Sequence, residues 1–202
     1  MIAVIDYGLG NLKSVHKALK LLGFESIITN NQKDINNSKS IIFPGVGSFG
    51  DCMRELDQRN LIIPIQNSIK SGKFFLGICL GLQILFNESE ESPGVEGLGL
   101  IKGKISKIGF SNNLKIPHMG WNKIHIQKRD QIFDGINENS WMYFVHSYKY
   151  DLDNNITLSK SHYGQEFSSS ICNDNIYATQ FHPEKSNVDG LKVLDNFAKL
   201  VN

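Results

Sequence analysis

Cys79 stands in the run Phe74-Phe75-Leu76-Gly77-Ile78-Cys79-Leu80-Gly81-Leu82-Gln83, a buried-strand pattern leading into a glycine-flanked turn and a new helix. A Gly two residues to either side of a reactive side chain is the spacing of a nucleophile elbow, with a thiol where serine hydrolases carry a hydroxyl. The glycines let the chain turn sharply, which presents the thiol instead of burying it. A helix beginning at the Cys sets partial positive charge beside the sulfur and favours the thiolate. Near the C-terminus, Ala178-Thr179-Gln180-Phe181-His182-Pro183-Glu184-Lys185-Ser186 supplies a base. Pro183 argues against helix and biases His182 toward extended geometry, where residues two apart point the same way. The spacing therefore predicts His182 beside Glu184, one imidazole nitrogen held by the carboxylate and the other left to take a proton from a thiol. Cys, His and Glu together suit acyl transfer, although chain order does not establish a triad, because triads recur in unrelated orders.

A third element is Phe43-Pro44-Gly45-Val46-Gly47-Ser48-Phe49-Gly50, a glycine-rich turn after a strand. Gly45, Gly47 and Gly50 match the G-x-G-x-x-G spacing of a dinucleotide-binding module. That module also needs an acid at the end of the next strand. The next strand ends at Leu76-Gly77-Ile78-Cys79, without one, and the earlier Gly8-Leu9-Gly10-Asn11-Leu12-Lys13 turn has Lys13 in the third glycine position. The better use of the Pro44 to Gly47 turn is an oxyanion hole shared with the Leu80 amide, each donor being worth roughly a hundredfold in rate. His146, in Tyr143-Phe144-Val145-His146-Ser147-Tyr148, is a rival general base, but no carboxylate lies two residues away. On the residues alone, His118 and Trp121 read as turn and strand residues, and His16, His125 and His162 as surface. Glu88, Glu90 and Glu91 form a charge run of the usually solvated kind, and Cys52 and Cys172 lack an activating setting.

The elements that must position these groups alternate in the first half. Strands at Ile2 to Ile5, Glu25 to Ile28 and Ser40 to Phe43 are interleaved with helices at Asn11 to Leu22, closed by Gly23, and at Leu61 to Ser71. This alternation argues for an α/β fold, an open, mostly parallel twisted sheet with helices on both faces. After the Glu88 to Gly94 stretch the pattern changes to strands near Ile101–Ile108, Trp121–Ile126, Met142–Val145, Ile156–Ser161, Ser169–Ile171 and Ile176–Thr179. These predict an antiparallel β extension joined to the parallel sheet, closed by a helix at Asp189 to Leu200.

At 202 residues the chain reads as a single domain, 1–202, with one substantial core. A net charge of +1 and the lack of a basic run point away from nucleic acid. The apolar stretches are too short to cross a bilayer, and Met1-Ile2-Ala3-Val4-Ile5-Asp6 reads as a strand and not as a signal peptide. Three widely spaced cysteines without C-x-x-C suggest neither disulfides nor a zinc site, and fit a reducing cytoplasm. No metal or other cofactor is expected.

Asp6-Tyr7-Gly8-Leu9-Gly10-Asn11-Leu12, Pro44-Gly45-Val46-Gly47, the Gly77 to Gln83 run, Pro117-His118-Met119-Gly120-Trp121-Asn122 and the Gln180 to Ser186 run follow one another in order. From Ile2 to the final helix the sequence resembles the glutaminase subunits of imidazole glycerol phosphate synthase, which are triad-type (class I) glutamine amidotransferases. The Cys and His-Pro-Glu motifs specify only the superfamily, and the other three narrow it to this family.

The resemblance implies that Cys79 attacks the side-chain amide of glutamine, with His182 as base and then acid, and Glu184 orienting it. Gly47, Gln83, Glu91, His146, Ser147 and Tyr148 match positions that hold glutamine. Val46 matches a residue whose peptide turns over to complete the oxyanion hole with Leu80, leaving the site idle until a partner signals. The implied partner is a (β/α)₈-barrel cyclase subunit in a heterodimer, docked near Asn11, Trp121 and Lys185. It would take up the ammonia to make imidazole glycerol phosphate for histidine synthesis. A paralogue feeding another synthase, such as a surface-sugar amidotransferase, would carry the same glutaminase residues. A non-catalytic scaffold is disfavoured by the complete Cys-His-Glu set.

Overall fold

The computed structural model describes residues 1–109 and 114–201. Its main sheet has eight strands. In chain order the strands of the whole structure are β1 (Ile2–Ile5), β2 (Ser26–Thr29), β3 (Ser40–Gly45), β4 (Phe74–Cys79), β5 (Glu88–Ser89), β6 (Lys104–Lys107), β7 (His118–Lys123), β8 (His125–Ile126), β9 (Trp141–His146), β10 (Tyr148–Lys149), β11 (Thr157–Tyr163), β12 (Gln165–Asn173) and β13 (Ile176–Thr179). The order across the main sheet is β2-β1-β3-β4-β13-β12-β11-β8. Pairing is parallel from β2 to β13 and antiparallel from β13 to β8.

The helices are α1 (Leu12–Leu21), α2 (Gln32–Asn37), α3 (Phe49–Gln58), α4 (Ile62–Lys70), α5 (Leu80–Gln83) and α6 (Asn187–Lys199). Side chains alternate across a strand, so β1 sends Ile2 and Val4 to one face and Ala3 and Ile5 to the other. The first face packs against Val15 and Leu19 of α1 and Val193, Leu194 and Phe197 of α6. The second packs against Ile35 of α2, Leu56 of α3 and Ile65 and Ile69 of α4. A strand covered on both faces has no polar side to show, and all four residues of β1 are buried. Gly23 ends α1 as the sequence suggests: at φ +85 it donates to the Lys20 carbonyl while Phe24 N–H reaches back to Leu19.

Two expectations are corrected. Only β8, β11 and β12 form the antiparallel extension. β7 pairs with β9 in a separate ribbon, and β5, β6 and β10 make a small third sheet, so the Trp121 to Ile126 segment divides between two sheets. Helices α2 and α3 are absent from the sequence reading. The second is nevertheless amphipathic, burying Phe49, Cys52, Met53 and Leu56, and is capped by Ser48, whose Oγ accepts from Asp51 N–H.

Candidate active site

The nucleophile elbow forms where the sequence places it. β4 ends at Cys79, which takes φ 56, ψ −105 before α5 begins. The other described non-glycine residues at positive φ are Asn or Asp, which tolerate it; Cys79 does not share their side-chain chemistry and is held there by its surroundings. Gly77 and Gly81 are required by close approach. A Cβ on Gly81 would lie 2.1 Å from the Phe43 carbonyl oxygen, and one on Gly77 would lie 2.3 Å from that of Gly81. Two features differ from expectation. Cys79 is only 7% exposed, so its thiol meets a cavity and not open surface, and α5 is a single turn, too short for much of a helix dipole.

That cavity, of about 320 Å³, is walled by Val46, Gly47, Cys79, Leu80, Gln83, Glu91, Pro117, Val145, His146, Ser147, Tyr148 and His182. Every residue expected to hold glutamine is on its wall. Cys79 Sγ accepts from Gln180 Nε2 at 3.6 Å and lies 3.7 Å from the Val145 carbonyl oxygen. Gln83 is buried and its amide donates to the Gln180 side-chain oxygen (3.2 Å) and to the Tyr148 carbonyl (3.1 Å). Glu91 accepts from Phe49 N–H at 2.7 Å, and burial raises its carboxyl above the ordinary range. It is therefore set apart from its solvated neighbours Glu88 and Glu90.

His182 Nδ1 lies 2.8 Å from Glu184 Oε1, both side chains being almost wholly buried. The pairing is as expected but its backbone reason is not. His182 is extended, whereas Pro183–Lys185 is a 3₁₀ turn with Pro183 at its first position. Proline fits there because that N–H has no helical partner to lose, so a turn, and not a strand, brings the two side chains together. Nε2 of His182 is buried, with no hydrogen-bond partner among the described residues, on the cavity wall it shares with Cys79. Burial opposes charge on this ring, but the Cys79 sulfur, followed by the Glu184 carboxylate, outweighs it and holds the imidazole pKa well above its usual value. His182 is thus poised to take the Cys79 proton and stand as imidazolium beside the sulfur.

His146 is removed as a rival base by its hydrogen bonds. The Tyr148 carbonyl, 2.8 Å from its Nδ1, can only accept, so Nδ1 carries the proton and Nε2 accepts from His118 Nδ1 at 2.9 Å. His118 Nε2 then accepts from Asn122 Nδ2 at 3.3 Å. His118 is buried, stacked on Phe144 and Tyr163, and is not the ordinary strand residue its sequence context suggests. Burial pushes His118 down to about 4; burial and then the His118 charge push His146 to about 3.

Both folded values lie below the unfolded value of about 6.5. The stability they contribute is present above that pH and lost as pH falls toward 4 and 3. Below about pH 5.5 His182 is charged in both states and drops out. Denaturant unfolding followed from about pH 5.5 to 4.5 should show uptake of about two histidine protons on unfolding. His118→Phe should reduce that slope by about one.

Two of the three expected docking residues, Trp121 and Lys185, meet Tyr143. Trp121, 45% exposed, meets its ring edge-on at 6.1 Å, and the Lys185 ammonium lies 5.7 Å from the ring centroid. Asn11 directly precedes α1 without a side-chain cap bond to its backbone, its Oδ1 accepting from Ser14 Oγ, and α1 touches the Pro183–Lys185 turn. Val46 reaches the cavity wall, but its N–H donates to the Tyr7 hydroxyl at 3.1 Å instead of pointing at the nucleophile. Tyr7, Pro117 and Gln180 were missed as site residues, though all three lie within the quoted motifs. Among the described residues, no group of three or more His, Cys, Asp or Glu side chains could hold a metal ion.

A parallel sheet ending in a strained thiol elbow, with a His-Glu pair behind it, is the architecture of the class I glutamine amidotransferases. The chain belongs to that family, whose model matches residues 3–200. Within it, the chain is similar to curated subunits named imidazole glycerol phosphate synthase subunit HisH. It is 49% identical to that of Methanocaldococcus jannaschii, over the whole of both chains. It is 46% identical to that of Aquifex aeolicus, over 97% of this chain and 95% of the relative. The fold is shared with a crystal structure of a glutamine amidotransferase (TM-score 0.78, 17% identity, 100% and 99% of the two chains). It is also shared with PurLQS from Thermotoga maritima (0.75, 22% identity, 100% and 98%). At such identities these two likenesses speak to fold alone.

Proposed function

We propose that this chain hydrolyses glutamine to glutamate and ammonia at Cys79 and delivers the ammonia to a cyclase subunit that makes imidazole glycerol phosphate for histidine synthesis. The observation that carries the reading is the strained Cys79 on a cavity wall shared with His182, whose far nitrogen is held by buried Glu184. The Cys79 thiol gives its proton to His182 Nε2, and Sγ attacks the amide carbon while the carbonyl electrons move to oxygen, where the Leu80 N–H meets the oxyanion. The oxyanion collapses, the C–N bond breaks, and the His182 imidazolium gives its proton to the leaving nitrogen, so that ammonia departs from a glutamyl thioester. Neutral His182 then deprotonates a water that adds to the thioester, the C–S bond breaks, and glutamate leaves. Glu91, with a carbonyl, takes the substrate α-ammonium, amides take its carboxylate, and Gln83 and the His146 to Tyr148 segment complete the wall.

Ammonia free in water protonates and is lost as a nucleophile, so its acceptor must dock against this site. The partner is read as a (β/α)₈ barrel in a heterodimer, meeting the face that carries Asn11, Trp121 and Lys185. A cytoplasmic setting belongs to the same reading. The three cysteines are unpaired, and no helix among the described residues is long and apolar enough to cross a membrane.

The test is glutamate release by the chain alone, with the cognate cyclase, and with cyclase plus its nucleotide substrate. Activity rising strongly only with the loaded cyclase is the expected result; activity indifferent to the cyclase would assign the ammonia elsewhere. Lys185→Ala should leave unstimulated turnover within about twofold, since its ammonium meets Tyr143 and not the cavity, while weakening cyclase-stimulated turnover severalfold. An unchanged response in a titration with cyclase would remove Lys185 from the docking face.

A further inference from the structure

We infer that Tyr7 is a latch that holds the Val46 N–H out of the oxyanion hole in the resting enzyme, a positioning residue for the glutaminase reaction. The inference rests on the function proposed above. The Tyr7 hydroxyl accepts from Val46 N–H and donates to the Val46 carbonyl, both at 3.1 Å, so one phenol bridges two consecutive peptides. Those peptides begin at Gly45, which pairs in register with Cys79 across β3 and β4, and continue into the cavity wall. A donor from this turn therefore lies on the cavity wall beside the strand end that carries Cys79. In the present structure that donor is already engaged.

The latch is rigid on one side and free to move on the other. Tyr7 is fully buried and stacked on Phe43 at 4.9 Å and 14°, and its own carbonyl accepts from Arg59 Nε. The hydroxyl thus cannot follow a rotating peptide. The Val46 N–H belongs to the Gly45–Val46 peptide, and Gly45, where a Cβ would lie 2.6 Å from the Leu80 Cβ, supplies the freedom for that peptide to turn. Burial raises the Tyr7 ionisation far above its ordinary value, so the hydroxyl keeps its proton and both hydrogen bonds persist over any working pH. A partly buried N–H needs a partner, and Tyr7 is the partner when no oxyanion is present. An oxyanion offers that N–H a stronger, charge-assisted bond, so release is favoured only as negative charge develops or when something shifts Tyr7.

The means of shifting it adjoin the turn. Tyr7 opens the Gly8 to Asn11 turn, where a Cβ on Gly10 would lie 3.0 Å from the Pro44 carbonyl oxygen. A partner pressing on Leu9 or Asn11 therefore bears on the latch and the oxyanion turn together.

Tyr7→Phe keeps the ring stack and deletes only the hydroxyl. The chain alone should then show kcat for glutamate release raised about three- to tenfold, the scale of one hydrogen bond, with the glutamine KM unchanged. The rate with loaded cyclase should stay within about twofold, so the activation ratio shrinks. A merely structural role would lower both rates. An unstimulated rate that is unchanged or lower, or both rates rising equally, overturns the latch. Should the variant fold poorly, hydrogen exchange of the Val46 amide in the wild-type chain decides the matter. Protection should be present in the resting enzyme and lost with loaded cyclase, and protection unaltered by the cyclase overturns the inference. A wild-type chain releasing no glutamate even with loaded cyclase would instead refute the glutaminase reading itself, and the latch would fall with it.

Discussion

Cys79→Ala should abolish glutamate release from glutamine, on the order of a millionfold, while leaving the fold and glutamine binding in place. The magnitude follows from losing the group that forms the covalent bond: once the nucleophile is gone, the remaining members of a triad have nothing to activate. The fold should survive because the substitution removes one sulfur atom at a cavity wall. The Cβ that fixes the strained φ of 56 remains, as do the close glycine contacts at Gly77 and Gly81. No other thiol can substitute. Cys52 is wholly buried beneath the sheet in the α3 core and its thiol is pushed up by burial. Cys172 is on β12, away from the cavity wall, and burial raises it too. Single-turnover assays would show no acyl-enzyme, and calorimetry should still detect glutamine. Residual hydrolysis above solvent background would sink the thioester mechanism.

The parts of this site that sequence reveals are those set by local spacing. The elbow is legible because Gly77 and Gly81 flank Cys79 at fixed offsets and each has its own steric reason. His182 and Glu184 are legible as a pair because only one residue separates them, even though the turn that joins them is 3₁₀ and not extended. Gly23 could be read as a helix stop because a positive φ there costs other residues more. What escaped depends on long-range approach. Tyr7 meets Val46, Gln180 meets Cys79, and His118 meets His146, and no local pattern marks any of these pairs. Nor does alternation of apolar residues say which strand a segment pairs with. β7 and β8, separated by Ile124 alone, therefore enter different sheets. Helix α3 was hidden differently. Its first residues overlap the glycine-rich turn, whose spacing masks the Phe49, Cys52, Met53, Leu56 stripe.

Glu184→Gln should lower kcat for glutamine hydrolysis about a thousandfold, less than loss of Cys79, with KM little changed. The glutamate side chain is fully buried with Oε1 2.8 Å from His182 Nδ1. In the resting state it accepts the Nδ1 proton, which leaves Nε2 as the nitrogen that exchanges protons at Cys79. A glutamine at this position presents either its oxygen or its amide to Nδ1. The oxygen preserves the tautomer but not the charge, and the imidazolium loses its compensating carboxylate in a site where burial already opposes it. The amide forces the opposite tautomer, as an Asp to Asn exchange does in serine protease triads, at a cost of about 10⁴ in rate. Either arrangement lowers the His182 pKa, because the carboxylate is one of the two groups that raise it. The imidazolium would then be lost at lower pH than in the wild type, and the alkaline limb of the kcat profile should move toward neutrality. That shift separates loss of charge from simple misplacement, which would reduce the rate at every pH equally. A variant with unaltered kcat and pH profile would show that the buried carboxylate orients nothing the reaction uses.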